Sequence, residues 1–122
     1  MKALLGFATL LLANSASGAA IDAAAGCKNN PAVVAACFTI RGRISAYNGT
    51  PSLRIWPVGT KRLLGVVPAE NEIVPSNIRG KVTFGQSVFA NLEVCPFEPA
   101  RPGSMQAVCV ESATDISIRR YQ

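Results

Sequence analysis

The sequence predicts an all-β fold, a small five-stranded barrel or half-open barrel, on three observations. From Cys37 onward, apolar and polar residues alternate with period two, as half-buried strands do. Clusters of Asn, Gly, Pro and Ser cut that stretch into short segments, which is how turns punctuate a meander. No segment carries a sustained helical apolar period.

The first strand begins at Cys37: Phe38, Ile40, Ile44 and Ala46 alternate with Thr39, Arg41, Arg43, Ser45 and Tyr47. Asn48-Gly49-Thr50-Pro51 is a turn. The second strand runs over residues 52–58, with Leu53 and Ile55 set against Arg54 and Trp56. Gly59-Thr60 turns the chain into a third strand over 62–67. Residues 68–80, with two prolines and polar clusters, are expected to form a loop with an irregular helical turn. Lys81 to Phe84 reads as the start of a fourth strand, Gly85-Gln86-Ser87 as a bulge or sharp bend, and Val88, Ala90, Leu92 and Val94 as its continuation. A proline-rich loop over 96–104 leads to a fifth strand, Met105 to Glu111, with Ile116 and Ile118 adding a short last piece before the basic tail Arg119-Arg120. A long insertion between the third and fourth of five strands suits an OB-like barrel. A β-sandwich, the alternative, calls for about seven strands.

Upstream, Met1-Lys2, the apolar run Ala3 to Leu12 and the small residues Ala13 to Ala20 have the three parts of a secretory signal peptide. The apolar run is shorter than the roughly 20 residues of a membrane span. Cleavage is expected after Ala19, with Gly18 as the second choice. That gives a signal peptide over 1–19, an Ala-rich segment over 20–36 and one barrel domain over 37–120, in a periplasmic or secreted bacterial protein. Within 20–36, Ala32 to Ala36 is expected to form a helical turn, with Asn30 as N-cap and Pro31 at the first position. The remaining chain, roughly 100 residues, suffices for one modest core that gains from covalent staples.

Cys27, Cys37, Cys95 and Cys109 are an even set, which in an exported chain implies two disulfides with three connectivities open. Short-loop closure favours Cys27–Cys37 and Cys95–Cys109. Zinc is the rival, but the chain has no Cys-x-x-Cys pair and no histidine, so no metal or other cofactor is expected. Ala24-Ala25-Gly26-Cys27 also looks like a lipid-attachment box, yet it stands far beyond the apolar run and Asp22 intervenes.

Lys and Arg number 12 against 7 Asp and Glu, a formal charge of +5, one lower once Lys2 leaves with the leader. A basic surface attracts polyanions, though it also simply confers solubility. Without histidine, Ser-His-Asp and Cys-His catalysis are excluded. Glu70 and Glu72 lie in a loop without a positioned partner, Glu93 and Glu111 can pair with Lys81 or an arginine, and no glycine pattern resembles a phosphate-cradling loop. The chain is therefore read as non-enzymatic.

One constellation stands out. A four-residue turn over 48–51 would set Tyr47 opposite Ser52, Ser45 opposite Arg54, Arg43 opposite Trp56 and Arg41 opposite Val58. Arg41, Arg43, Tyr47, Arg54 and Trp56 then share one face, while Ile44, Ala46, Leu53 and Ile55 share the core face. Guanidinium groups and aromatic rings together bind polyanions by charge and stacking. The competing interpretation covers that face with residues 20–36 and makes Trp56 satellite core, and a one-residue slip would invert every side chain. The expected partner is an anionic glycan or a protein, with nucleic acid less favoured. A second function class makes the chain an inhibitor or accessory protein of a secreted enzyme, inserting a Cys95–Cys109 loop stiffened by Pro96, Pro99 and Pro102; a third, a carboxylate hydrolase, would need two converging acids.

The stretches RGR-x-x-x-x-NGTP (41–51), RIW-x-VGT-x-R (54–62) and VCPF…VCVESA (94–113) resemble a set of small secreted bacterial proteins of uncharacterised function. The resemblance implies a self-contained exported domain and brings no substrate, activity or catalytic residue.

Overall fold

The computed structural model describes residues 19–121, so residues 1–18, with most of the expected leader, lie outside them. Among the described residues no helix is long and apolar enough to cross a membrane. The strands are β1 (Phe38–Ala46), β2 (Leu53–Pro57), β3 (Leu64–Val66), β4 (Gln86–Pro96) and β5 (Gln106–Arg120). They form one sheet closed in the order β1-β2-β3-β5-β4, with β4 returning to β1. Only β3 and β5 run parallel. This is the five-stranded, OB-like barrel that the spacing of strands predicts.

Closure removes the free edges that short strands would otherwise expose. Alternation then decides what is inside. Ile44 on β1, Ile55 on β2, Leu64 and Val66 on β3, Val88, Ala90, Leu92 and Val94 on β4, and Val108 and Val110 on β5 fill the barrel and are 0–1% exposed. The insertion over 67–85 is a run of turns, as expected; it lowers Val74 and Ile78 onto the same core. At Gly65 a Cβ would stand 2.6 Å from Pro51 Cγ and 2.7 Å from Met105 Sδ, so β3 needs glycine where these two side chains press on its outer side.

Four details differ from expectation. Lys81 to Phe84 is not strand: Thr83 and Gln86 exchange backbone hydrogen bonds of 3.0 and 3.1 Å, which closes a tight turn with Phe84 at its tip, 73% exposed. The last two strand pieces are one strand, β5, whose alternation is broken by two register shifts against β4, one of them at Asp115, where φ is 51°. A bulged residue moves the following side chains to the other face, so Ala113 and Ile116 still reach the core. The helical turn expected at Ala32 to Ala36 does not form; the helical turn of this segment is 3₁₀, at Ala23–Ala25, with the Asp22 carboxylate accepting from Ala24 N at 3.1 Å. Asn30 still caps, its Oδ1 accepting from Ala32 N at 3.2 Å, but only a single turn follows.

The disulfides correct the favoured pairing. Cys27 bonds Cys109 and Cys37 bonds Cys95. Cys95 and Cys109 are direct cross-strand partners, so a bridge between them would join strands already paired. Both instead hold the chain's start, and Cys27, Ile73, Cys95 and Cys109 form a second buried cluster with Ile21, Val33 and Phe97 around it. Because the four cysteines are used in these bonds, the close approach of the Cys27, Cys95 and Cys109 sulfurs offers no thiolate set to a metal.

Candidate functional site: a basic and aromatic barrel face

The β1–β2 register is the one the four-residue turn requires. Arg43 pairs with Trp56, Ile44 with Ile55, Ser45 with Arg54 and Ala46 with Leu53, and backbone hydrogen bonds link Tyr47 N to Ser52 O at 2.7 Å and Val58 N to Arg41 O at 2.8 Å. Because Ile44 and Ile55 point inward, their neighbours must point outward. Arg41, Arg43, Tyr47, Arg54 and Trp56 therefore share the outer face.

Side-chain contacts bind most of that set together. The Arg43 guanidinium carbon lies 5.9 Å from the Trp56 ring centre, and that of Arg54 lies 5.1 Å from the Tyr47 ring centre. Trp56 Nε1 donates to the Tyr47 hydroxyl at 2.9 Å; the small Ser45 between them lets the two rings meet across the strands. Arg54 Nε is fixed by the Pro51 carbonyl at 2.9 Å. Arg41 is drawn aside: its Nη1 donates to the Asp115 backbone oxygen at 2.7 Å and pairs with the Asp115 carboxylate at 3.4 Å, so it secures the β5 bulge. Among the described residues two ion pairs form, Arg41–Asp115 and Lys28–Glu93. The charges of Arg43 and Arg54 are thus left uncompensated. Arg43 Nε is buried and has no acceptor among the described residues.

The face is wider than the hairpin. β4 lies on the other side of β1, with Phe89 opposite Arg43, and β5 sets Arg119 opposite Ser87. The Arg119 guanidinium carbon stands 5.8 Å from the Phe89 ring centre. The order Trp56, Arg43, Phe89, Arg119 thus alternates ring and cation around four strands. Beside this row the Ser45 and Ser87 hydroxyls are 2.7 Å apart, and Ser87 is hydrogen-bonded to the Tyr121 hydroxyl. Phe89, Ser87, Arg119 and Tyr121 escape sequence reasoning because β1–β4 pairing is long-range; the alternation of Ser117, Arg119 and Tyr121 was the available signal.

Residues 20–36 do not take the covering position. They lie over the Cys95–Cys109 end, with Val34 N bonded to Pro96 O at 3.0 Å. Lys28 supplies the partner for both Glu93, at 2.9 Å, and Glu111, whose carboxylate accepts from Lys28 N at 2.8 Å; neither Lys81 nor an arginine does so. The hydrogen bond and charge of Glu93 hold the Lys28 ammonium above its ordinary range. Of the other loop acids, Glu72 accepts from Ser52 Oγ at 3.0 Å. Beyond Trp56, a groove of about 600 Å³ continues the face between Arg62, Pro102 and Met105.

Hydrogen bonds from Ser87 and then Ser45, with the charges of Arg43 and Arg119, pull the Tyr121 phenol below its ordinary value. A depressed acid stabilises the fold above its unfolded value, near 10, and that contribution fades as pH falls through the folded value, so it is absent at neutral pH. In a Tyr47→Phe protein, ultraviolet titration is expected to show Tyr121 ionising early, and Ser87→Ala is expected to move it back upward. An unchanged titration would mean that the hydroxyl chain does not form.

Comparison with protein-family models, with curated proteins and with solved structures finds no match to this chain.

Proposed function

We infer that the protein is an exported, non-enzymatic binding domain whose outer basic and aromatic face takes an anionic glycan of the cell surface or periplasm. The observation that carries this is the cluster of Arg43, Trp56, Arg54 and Tyr47, in which two guanidinium groups lie beside aromatic rings and keep uncompensated charge. Rings give a sugar a flat apolar platform, while guanidinium N–H groups fork onto sulfate, phosphate or carboxylate. A surface whose side chains are already held by stacking and by the Trp56–Tyr47 hydrogen bond loses little conformational freedom on binding. Export is supported by the leader pattern and by two disulfides in a domain this small.

The inhibitor alternative loses its premise, since Cys95 and Cys109 do not close the proline-rich loop on each other.

The test is retention on immobilised heparin and on lipopolysaccharide at low and high salt. Wild type is expected to bind, and more weakly as salt rises. Arg43→Ala and Trp56→Ala are each expected to lose about 1.5–3 kcal/mol, roughly 10- to 100-fold, the range for a charge-assisted contact. Equal retention of wild type and both variants would remove this face from the account, and preferential binding of single-stranded DNA would replace the glycan by nucleic acid.

A further inference from the structure

Three hydroxyls meet on the outer face where few are expected. Ser45 and Ser87 point away from the core, yet they are only 6% and 0% exposed. Tyr121 lies over them, half exposed, with its backbone N–H bonded to Gly85 O at 2.9 Å. The chain of hydrogen bonds runs from Ser45 to Ser87 to Tyr121. Three hydroxyls carry three protons, and the two bonds use two of them, so the chain can be polarised wholly toward its outer end. There, two donated hydrogens reinforce one another at the position of the Tyr121 oxygen. Arg43 lies on one side of that position, on β1, and Arg119 on the other, on β5. Neither is neutralised by an ion pair among the described residues, and Arg43 Nε keeps a buried proton without an acceptor.

A neutral phenol is a poor match for so many donors. Hydrogen bonds to an ionised oxygen are roughly twice as strong as those to a neutral one. The depressed Tyr121 phenol shows the same preference for negative charge at this point, although a tyrosine near neutral pH remains protonated. A group bearing several anionic oxygens fits better: one oxygen takes the hydroxyl position, and the others reach Arg43 and Arg119. A planar carboxylate has two oxygens for these three sets of donors, whereas a tetrahedral monoester has three.

We propose that Ser45, Ser87, Arg43 and Arg119 form a seat for a sulfate or phosphate monoester on a glycan, and that the Tyr121 hydroxyl is a built-in plug which the ligand displaces. This rests on the glycan-binding assignment of the face and narrows it to one chemical group. The tail suits the role of plug. Tyr121 follows directly on β5, so turning its side chain outward breaks one hydroxyl contact and leaves the barrel's strand pairing intact.

The experiment titrates the full-length mature protein with inorganic sulfate and with inorganic phosphate, ionic strength being held constant with chloride, and follows binding by calorimetry. Tyr121→Ala is expected to tighten binding of both anions several-fold. Adding Ser87→Ala, a change that leaves the buried volume nearly filled, is expected to weaken it about 10-fold, which corresponds to ~1.4 kcal/mol. Arg119→Gln, at an exposed position, is the second variant and is expected to weaken binding without altering thermal unfolding. If Tyr121→Ala binds either anion no better than wild type, the plug is refuted; if neither Ser87→Ala nor Arg119→Gln weakens binding, the seat is refuted. A heparin fragment and a glucose phosphate then distinguish the two esters, and stronger Ser87-dependent binding to one supports that source. Single-stranded DNA bound with the same Ser87 dependence would overturn the choice of a glycan monoester. Heparin retention that responds to Arg43→Ala and Trp56→Ala but not to Ser87→Ala would overturn the seat while leaving the face. Tighter sulfate binding by Tyr121→Ala in a protein that ignores heparin would support the seat and overturn the wider face.

Discussion

Replacing Cys27 and Cys109 together by alanine is expected to cost about 3–4 kcal/mol of stability, read as a lower denaturation midpoint at unchanged secondary structure. The sequence separation of the bridge is 82 residues, and a loop of that length alone would suggest ~4.5 kcal/mol in the chain-entropy picture. The second bridge shortens it. With Cys37–Cys95 intact, the covalent path runs from 27 to 37, crosses the bridge and continues from 95 to 109, about 25 residues, for which the same picture gives ~3.5 kcal/mol. The two bridges therefore do not act independently: whichever is removed second opens the longer loop and costs more. Losing both consumes most of the 5–15 kcal/mol typical of a small domain.

Other contacts of the N-terminal segment do not compensate. The Lys28–Glu93 pair is largely exposed, and such pairs contribute little. The buried Asn30 amide ties Asp22 O at 2.6 Å to Gly26 O at 2.7 Å, which fixes the segment to itself rather than to the barrel. In the single-bridge variant residues 20–36 are expected to detach before the barrel opens, and heparin retention should persist, because Arg43, Arg54 and Trp56 lie on strands that this segment does not touch through its bridge. An unchanged midpoint would mean that the Cys27–Cys109 bond is not formed in solution.

How far the chain could be read in advance follows from the range of the forces involved. The β1–β2 hairpin was legible side chain by side chain, since a short turn and strict alternation fix register locally. The closed order of strands was legible from their number and from the long insertion after the third. What failed was either local geometry without alternation or pairing across distance. Lys81 to Phe84 mimics a strand by composition, yet its backbone bonds close on Gln86. The bulge at Asp115 scrambles the inside–outside pattern, so a continuous strand looks like two. The disulfides depend on where the Ala-rich segment comes to rest, and neither Cys27 nor Cys37 announces the strand it will meet. For the same reason half of the basic and aromatic face was legible and the half on β4 and β5 was not.

Leu92→Ala is expected to cost about 3–5 kcal/mol, at the upper end for a buried leucine. Leu92 is 0% exposed and reaches into a waist of the barrel where Ala90 and Gly42 are register partners. With no side chain on Gly42 and only a methyl on Ala90, few neighbouring atoms can move into the vacated space. Gly42→Ala is the converse change. Its Cβ would lie 2.7 Å from Ile55 Cγ2 and 3.2 Å from Leu92 Cδ1, an overpacking expected to cost about 1–3 kcal/mol. In the double variant the Leu92 contact is gone and Ile55 can turn into the space it leaves, so the combined cost is expected to fall short of the sum by about 0.5–3 kcal/mol. The outer face reports on the same event. Gly42 lies between Arg41 and Arg43, and displacing β1 outward at Gly42 would disturb the stacking of Arg43 on Trp56, the chain's single tryptophan. Gly42→Ala should therefore shift tryptophan fluorescence, and Leu92→Ala should restore part of that shift. Strictly additive costs, or a fluorescence change that ignores Leu92, would show that the core and the binding face are not coupled through this glycine.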